Sequence, residues 1–376
     1  MLKQLLAGFL VLALCAACGA PPAEPAVSEA PPAASAPAPA PEPEPAPAPD
    51  PVRELLDSLT LEQKIAQLFF VRCPETGGAE LAASELCPGG FLLFGADFAD
   101  RTAEQAKDRI ASFQSAARVP LLIGVDEEGG TVVRVSRYFR ETRFQSPRAL
   151  YEAGGLDALT ADAAEKDAFL RDFGINVNLA PVADLSDDPD DFIYARAVSG
   201  DAETAAACVA AVVEQINADG MGSVLKHFPG YGPNADTHTG SARDERPLEA
   251  FEAADLLPFA AGVEAGAPAV LVSHNIVPAF GDELPGSLSP SVVGYLRDTM
   301  GFAGVILTDD LAMAAVAVDR AAVRAVQAGC DLLITSDYES DHAAVLAALG
   351  AGELTQERID ESAYRVLGWK HALGLL

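Results

Sequence analysis

The sequence predicts an α/β protein built as a single (β/α)8 barrel of the TIM type, preceded by a signal peptide and a linker rich in proline and alanine. Three observations predict this fold: short apolar runs recur along the chain, alanine-rich amphipathic segments separate them, and the runs number eight. Continuous apolar strands that alternate with helices indicate a parallel sheet covered on both faces. Eight such units within roughly 320 residues favour a closed barrel over an open sheet.

The predicted strands are the apolar runs at residues 66–71, 90–94, 120–125, 175–182, 222–225, 269–272, 304–307 and 331–334. Residues 161–173 and 202–218 are typical of the helices between them. Near the start of the domain, Thr60 followed by Gln63 predicts a helix that begins with a capping box.

Composition excludes several classes of function. The chain has 376 residues, 25 of them Lys or Arg against 55 Asp or Glu, for a formal charge of −30. Nucleic-acid binding needs clustered positive charge, so we expect no nucleic-acid partner. Neither of the glycine-rich phosphate-binding motifs GxGxxG and GxxxxGK[ST] occurs where a nucleotide site would need it.

Residues 1–18 are predicted to be a lipoprotein signal peptide together with the cysteine that carries the lipid. Lys3 supplies a positive charge, residues 5–14 are apolar, and Cys15-Ala16-Ala17-Cys18 resembles a bacterial lipobox with cleavage before Cys18. An ordinary secretory signal is the alternative. With either signal we expect the mature protein to lie outside the cytoplasm. With the lipoprotein signal we expect it to be anchored to the membrane through Cys18.

Residues 19–51 form a second segment of unusual composition. They consist almost entirely of Pro, Ala and Glu. Such a segment has too little apolar surface to form a core, which predicts a disordered but extended tether. We therefore predict that the catalytic domain comprises residues 52–376.

Four cysteines follow Cys18, namely Cys73, Cys87, Cys208 and Cys330. Their spacing matches no metal-ligand pattern, so we expect no metal site and no cofactor. An oxidising compartment permits a Cys73–Cys87 disulfide. Buried free thiols are the favoured expectation.

Polar residues follow the predicted strands at the end where barrels place their active sites. The third run is followed by Asp126, the fourth by Asp184 and later Arg196, the fifth by Lys226, His227 and the pair Asp236 and His238, the sixth by His274, and the seventh by Asp309 and Asp310. Any one of these could begin a solvated loop, but the whole set indicates a functional rim.

This set of residues suits cleavage of a glycosidic bond. That reaction needs one group to attack or stabilise the anomeric centre and another to protonate the leaving oxygen. Asp236 is two residues from His238 and can orient its ring within a turn. Alone, such a pair could equally stabilise a loop.

Several separated motifs resemble one family. The strongest is Lys226-His227-Phe228-Pro229-Gly230-Tyr231-Gly232, followed by Asp236-Thr237-His238. It resembles the Lys-His-Phe-Pro-Gly-His-Gly and Asp-Ser-His motifs of bacterial exo-β-N-acetylglucosaminidases (β-N-acetylhexosaminidases) of glycoside hydrolase family 3. From about Leu55 onward, the resemblance also includes Val125-Asp126-Glu127-Glu128-Gly129-Gly130, Leu179-Ala180-Pro181-Val182-Ala183-Asp184, Arg196 with Ser199-Gly200-Asp201, and Thr308-Asp309-Asp310-Leu311-Ala312-Met313.

The resemblance implies a retaining hydrolase that forms a covalent glycosyl-enzyme and releases terminal β-linked N-acetylglucosamine. Asp309 maps to the nucleophile, with Asp310 in support, and His238 maps to the acid/base, with Asp236 behind it. The implied sugar contacts are Asp126, Arg134, Arg196, Lys226 and His227. We expect a carbohydrate substrate, with peptidoglycan fragments as the first candidate, and we predict no protein partner.

Two positions depart from the family pattern. Tyr231 replaces the second histidine of the motif, and Thr131 stands where many members have Arg. Both are expected to affect the leaving-group side of the substrate.

Two rival functions stay open at this stage. A β-glucosidase or β-xylosidase of the same broad family is one, although such enzymes generally take their acid/base from an additional C-terminal domain, which the sequence after the eighth run is too short to contain. A sugar-binding lipoprotein that has lost catalysis is the other, although Asp309 and His238 are both retained.

Overall fold

The computed structural model describes residues 49–232, 242–316 and 318–376. In this part of the chain, parallel pairing joins eight short strands into one sheet. They are β1 Phe69–Arg72, β2 Gly90–Leu93, β3 Leu122–Val125, β4 Val177–Asn178, β5 Gly222–Phe228, β6 Ala269–Val272, β7 Val305–Thr308 and β8 Leu333–Thr335. Every predicted apolar run overlaps one of these strands, so the predicted α/β barrel is confirmed.

The helices surround the sheet. They are α1 Pro51–Ser58, α2 Leu61–Ala66, α3 Gly78–Ala82, α4 Ala103–Ala116, α5 Ser136–Phe139, α6 Pro147–Asp172, α7 Ala202–Ala218, α8 Leu248–Ala250, α9 Leu256–Glu264, α10 Pro290–Gly294, α11 Ala321–Ala328, α12 Tyr338–Gly350 and α13 Gln356–Ala372. Short 3-10 turns occupy Gly95–Asp97, Pro278–Phe280 and Gly286–Leu288, and π-type turns occupy Phe251–Asp255 and Tyr295–Thr299.

The sheet curves into a nearly closed barrel. Its strand order is β7-β6-β5-β4-β3-β2-β1-β8, so β7 and β8 are its two edges. A parallel bridge between Leu307 and Leu332 joins these edges. The backbone N–H of Leu332 also donates to the carbonyl of Ile306 at 3.1 Å. The barrel therefore brings the C-terminal ends of all eight strands to one rim.

Apolar side chains fill the interior of the barrel, and glycine makes room for the largest of them. Phe70 points inward from β1, and a Cβ atom on Gly124 of β3 would lie only 2.5 Å from its ring. At the opposite end from the rim, Val366 and Trp369 of α13 pack into the same cluster. The interior is thus a solid core, which leaves the rim as the open end.

Local signals predicted the helices well. Gln63 donates its backbone N–H to the Thr60 hydroxyl at 3.3 Å and accepts from the Thr60 N–H at 2.9 Å, which confirms the capping box. Helix α7 has the predicted bounds. Helix α6 begins earlier than residue 161, and its backbone breaks at Gly154 and Gly155, where the φ of Gly155 is 63°.

Most strands differ from their predicted extents by a few residues, and the differences at β4 and β5 affect the site. The fourth run predicted a strand over residues 175–182, but β4 contains only Val177 and Asn178. Pro181 has no N–H to donate, which interrupts the ladder, although a parallel bridge still joins Val182 to Lys226. The fifth run was predicted to end at residue 225, whereas β5 continues through Lys226 and His227 to Phe228.

The four cysteines of the folded region are free and buried, as expected. Among the described residues, no helix is both long enough and apolar enough to cross a bilayer.

Candidate active site

A cavity of about 480 Å³ opens at the C-terminal ends of the strands. Its lining combines several charged side chains with a few apolar ones. The residues that the following argument uses are Arg72, Phe94, Asp126, Glu128, Thr131, Arg134, Arg196, Lys226, His227, Asp309 and Asp310. The cavity therefore lies where the sequence predicted the functional rim.

The three acidic residues after β3 have separate roles. Asp126 faces the cavity, where its carboxylate lies 2.5 Å from Lys226 Nζ and 3.7 Å from Arg134 Nη2. Glu127 is fully buried and accepts the backbone N–H groups of Arg134 and Val135 at 2.8 and 2.7 Å. Glu127 thus fixes the loop that carries Arg134 over the cavity.

Glu128 is the central anion of the site. It is buried, accepts two hydrogen bonds from Arg196 at 2.8 and 2.9 Å, and lies 2.5 Å from Lys226 Nζ. Burial alone would raise the pKa of Glu128, but Arg196 and Lys226 outweigh it and hold that pKa well below its usual range. Glu128 is therefore a carboxylate that positions two cations.

Lys226 and His227 both face the cavity although they are neighbours on one strand. In a regular strand, successive side chains point to opposite faces. The pairing of β5 with β6 shifts register between Leu225 and Phe228, and this irregularity changes the direction of the side chains between them. The strand thereby presents two donors to the same cavity.

The hydrogen bonds of His227 define its tautomer. Its Nδ1 lies 2.7 Å from Asp184 Oδ2, and its Nε2 lies 3.0 Å from Arg196 Nη2. Because an arginine nitrogen only donates, Nε2 accepts and the ring proton resides on Nδ1, which donates to Asp184. The other oxygen of Asp184 accepts the N–H of Tyr231 at 2.7 Å.

Asp309 and Asp310 follow β7 on another side of the cavity. The Asp309 N–H donates to the carbonyl of Val272 at 3.1 Å, so the backbone at Asp309 is held against β6. Oδ1 of Asp309 accepts the N–H of Asp310 at 2.8 Å. Burial raises the pKa of Asp310, an effect that the nearby Arg72 guanidinium opposes.

His274, at the end of β6, supports the backbone beside Asp309. Its Nε2 lies 3.0 Å from the carbonyl oxygen of Asp310 and its Nδ1 lies 2.7 Å from the Ser287 hydroxyl. A carbonyl only accepts, so Nε2 carries the proton and Nδ1 accepts from Ser287.

The structure brings six of the sequence-predicted site residues to one cavity: Asp126, Arg134, Arg196, Lys226, His227 and Asp309. Asp236 and His238, the predicted acid/base pair, lie outside the described residues, as does Cys18. The chain on either side of residues 233–241 is fixed near the rim, because Tyr231 donates to Asp184 and the Asp244 N–H donates to Ile276 at 2.9 Å.

The two departures from the family pattern occupy different environments. Tyr231 is buried and packs edge-on against His227, with ring centroids 5.1 Å apart. It does not line the cavity, but His227 and Phe192, which both line it, contact the Tyr231 ring. Thr131 is exposed and lines the cavity directly.

Sequence reasoning gave no role to Glu128, Asp184 or His274. A signal was present for Glu128, which lies two residues after Asp126 in the same motif. Asp184 and His274 each follow a predicted strand, but their partners are defined only by the fold. Within residues 49–232, 242–316 and 318–376, no group of three or more His, Cys, Asp or Glu side chains is placed to hold a metal ion.

Comparison with known sequences supplies independent information. A family model described as the glycosyl hydrolase family 3 N terminal domain matches residues 60–368. The beta-hexosaminidase of Xanthomonas campestris pv. campestris (strain B100) is 36% identical over 307 residues, covering 78% of this chain and 92% of that protein. The beta-hexosaminidase of Xylella fastidiosa (strain M12) is 36% identical over 312 residues, covering 78% and 91%.

Solved structures agree with the sequence relatives. A glycoside hydrolase family 3 beta-N-acetylglucosaminidase from Paenibacillus sp. str. FPU-7 superposes with a TM-score of 0.79 at 32% identity, covering 85% of this chain and 63% of that chain. The beta-N-acetylhexosaminidase from Beutenbergia cavernae DSM 12333 superposes with a TM-score of 0.73 at 29% identity, covering 84% and 99%.

Proposed function

The chain belongs to glycosyl hydrolase family 3, with relatives named beta-hexosaminidase, and is a glycosidase; we propose that it removes terminal, non-reducing β-linked N-acetylglucosamine through a covalent glycosyl-enzyme. The observation that carries this proposal is that one cavity contains both Asp309 and the ion-pair network of Asp126, Glu128 and Lys226. The network offers fixed donors and acceptors to sugar hydroxyls, while Asp309 offers a carboxylate to the anomeric carbon.

The network suits a sugar because its charged groups are already oriented. Arg196 is held by two hydrogen bonds to Glu128, and Lys226 lies between Glu128 and Asp126. Side chains fixed in this way need little reorganisation when they bind hydroxyl groups, so binding energy can be used to orient the ring. We assign the donor-sugar contacts to Asp126, Arg134, Arg196, Lys226 and His227 on this basis.

We assign the nucleophile to Asp309. Its carboxylate oxygen bonds to the anomeric carbon while the bond to the leaving oxygen breaks, which gives an ester between the sugar and Asp309. Water then attacks the same carbon and releases Asp309. Two displacements at one centre retain its configuration. The backbone bond from Asp309 to Val272 supports this role because it anchors the attacking group to the barrel.

We assign the acid/base to His238, oriented by Asp236. His238 would donate its proton to the leaving oxygen in the first displacement and take a proton from water in the second. Asp236 would hold the ring and stabilise the imidazolium. The described chain on both sides of residues 233–241 approaches the rim, which is consistent with this assignment.

We propose peptidoglycan fragments as the natural substrate and the outer face of a membrane as the site of action. The support is the sequence of residues 1–51, with a lipobox-like segment at Cys18 and an extended tether after it. A membrane-tethered glycosidase would meet cell-wall glycans directly.

A comparison of two substrates tests the activity. We expect an aryl β-N-acetylglucosaminide to be hydrolysed much faster than the matching aryl β-glucoside, with Asp309→Asn as the inactive control. The opposite preference would replace the proposal with the β-glucosidase alternative. Hydrolysis of neither compound, together with measurable N-acetylglucosamine binding, would favour the non-catalytic binder.

The anchor is tested by fractionation of cells that produce the full chain. Cys18→Ser should move the activity from the membrane fraction to the soluble fraction, because the variant lacks the thiol that carries the lipid. Retention of the variant in membranes would contradict lipidation at Cys18.

A further inference from the structure

The guanidinium of Arg72 differs from the other cations of the active-site cavity. Arg134, Arg196 and Lys226 each lie within 4 Å of a carboxylate, at 3.7, 2.8 and 2.5 Å. Among the residues that the structure describes, Arg72 forms no ion pair, although the chain has 55 acidic residues against 25 basic ones. Arg72 acts on Asp310 only through space, without an ion pair, so its N–H groups remain available to a bound molecule.

Arg72 is held in place by an aromatic ring. It is the last, exposed residue of β1, and its guanidinium carbon lies 4.4 Å from the centre of the Phe94 ring. Arg134 approaches the same ring at 5.8 Å. Stacking of this kind orients the planar guanidinium while its N–H groups stay free to bind an acceptor.

Arg72 and Phe94 also mark the junction of two openings. Both residues line the active-site cavity, and both line a neighbouring groove of about 790 Å³ beside the loops that follow β1 and β2. A molecule that extends from the cavity into this groove passes Arg72. Glu75 and Asp100 are exposed farther along the groove, and Arg101 is bound to three backbone carbonyls, so the available positive charge is at the junction.

The strand order indicates which part of a substrate reaches this junction. The proposed donor-sugar contacts follow β3 and β4 or lie near the end of β5, whereas Arg72 ends β1, four strands away from β5 in an eight-stranded barrel. Arg72 therefore faces Lys226 across the cavity. A sugar held on the β3–β5 side, with its anomeric carbon at Asp309, directs its leaving group toward the rim formed by β8, β1 and β2.

We propose that Arg72, stacked on Phe94, binds a carboxylate of the leaving group and makes the enzyme prefer anionic over neutral aglycones. A guanidinium presents paired N–H groups that match the two oxygens of a carboxylate. This inference rests on the proposed glycosidase function and adds a charge preference that none of the assigned donor-sugar contacts supplies.

Two β-N-acetylglucosaminides of nearly equal shape test the proposal. Their leaving groups are 3-hydroxybenzoate, which is anionic, and 3-hydroxybenzamide, which is neutral. For each enzyme the measured quantity is kcat/KM for the anionic compound divided by kcat/KM for the neutral one. Comparing this ratio between variants cancels the intrinsic reactivity of the two leaving groups and any general loss of activity.

We expect Arg72→Met to lower the ratio about threefold to fivefold, which is the upper part of the range for a solvent-exposed ion pair. Arg72→Glu should lower it further, and Arg72→Lys should retain part of it. The matched control is Arg137→Met, because Arg137 is exposed and stacks on Tyr138 at 5.3 Å but does not line the cavity. The wild-type ratio should also fall between 10 mM and 500 mM NaCl, since salt screens exposed charges.

An unchanged ratio in both Arg72→Met and Arg72→Glu, with both compounds hydrolysed, would overturn the inference and leave the glycosidase proposal standing. Equal losses on the two compounds would assign Arg72 a structural role instead. If the wild-type chain hydrolysed neither compound, the proposed function itself would fail, and this inference with it.

Discussion

The two ends of the barrel each bury a carboxylate among cations, but only one of these groups lines the cavity at the rim. At the N-terminal end of the strands, Asp331 is fully buried and pairs with Arg297, Arg358 and Arg365 at 2.6, 3.1 and 3.1 Å. At the C-terminal end, Glu128 is equally buried and pairs with Arg196 and Lys226.

The surroundings of the two carboxylates differ. Ser362 of α13 also donates to Asp331, at 2.7 Å, and that helix closes its end of the barrel. The partners of Glu128 line an open cavity instead. The difference teaches that ion pairs of similar geometry stabilise the fold at one end and serve binding at the other. What distinguishes the two groups is the feature they surround, a closing helix or the cavity at the rim.

The largest effect is expected at the open end. His238→Ala should lower kcat/KM by about 10²–10⁴-fold for substrates with poor leaving groups and far less for activated aryl ones, since a weakly basic leaving oxygen needs less protonation. Asp236→Asn should show the same trend more mildly. A series of aryl leaving groups measures this, and thermal unfolding should not change. Equal losses across the series would mean that His238 is not the general acid.

The closed end should respond in stability alone. Asp331→Asn removes the buried negative charge that pairs with three arginines. The change should lower the free energy of unfolding by about 3–5 kcal/mol. Below the unfolding transition, kcat/KM per folded molecule should stay within about twofold of wild type, because Asp331 is remote from the rim. Urea unfolding and active-site titration measure the two quantities. The control is Asp172→Asn, whose exposed pair with Lys107 should contribute at most about 1 kcal/mol.

The same kind of change at the open end should reach activity as well. Glu128→Gln removes the negative charge that orients Arg196 and Lys226, and a hydrogen bond to a charged group contributes about 1.5–3 kcal/mol. We expect kcat/KM to fall about tenfold to hundredfold and the protein to lose stability. Should Glu128→Gln lose stability only, as Asp331→Asn is expected to, the functional contrast between the two ends would be refuted.

The smallest effect concerns a buried lysine near the closed end. Burial lowers the pKa of Lys370 from 10.5 to about 7, and the Lys370 ammonium donates to Gln67 at 2.6 Å. Between these two pH values the unfolded chain binds a proton that the folded chain lacks, so stability from this group rises with pH in that interval and the cost of its charge is complete below pH 7.

Lys370→Met should therefore raise the free energy of unfolding relative to wild type most at pH 6, where the cost of burying the lysine charge is complete. The gain should shrink as the pH rises toward 10, because the wild-type amine is then neutral in the folded state. Urea unfolding at pH 6, 8 and 10 measures this. A constant offset between variant and wild type at all three pH values would contradict a lowered pKa for Lys370.

Much of the fold could be predicted because its signals are local. Apolar runs and caps such as Thr60 act within a few residues, and the strands formed where the runs predicted them. The extents of β4 and β5 were less predictable. The apolar run ends just before Lys226. Strand β5 nevertheless continues through Lys226 and His227, because their side chains point into the open end of the barrel.

The partners within the site could not be predicted in the same way. The residues of the pairs Glu128–Arg196 and His227–Asp184 are 68 and 43 positions apart along the chain. Only the closed barrel brings them together, and nothing in the local sequence specifies which carboxylate meets which cation. The order of the motifs predicted which residues belong to the site, whereas the fold determines which of these residues contact one another.

The most direct test of the central claim, that the open end is an active site with Asp309 as nucleophile, is to trap the intermediate. A fluorinated, slow-turnover N-acetylglucosaminide should leave one sugar covalently bound to the peptide that contains Asp309. Fragmentation of that peptide should place the added mass on Asp309 and not on Asp310, and Asp309→Ala should abolish labelling. Accumulation of an oxazoline with no adduct on the protein would show that the substrate's own acetamido group attacks, and would contradict the account.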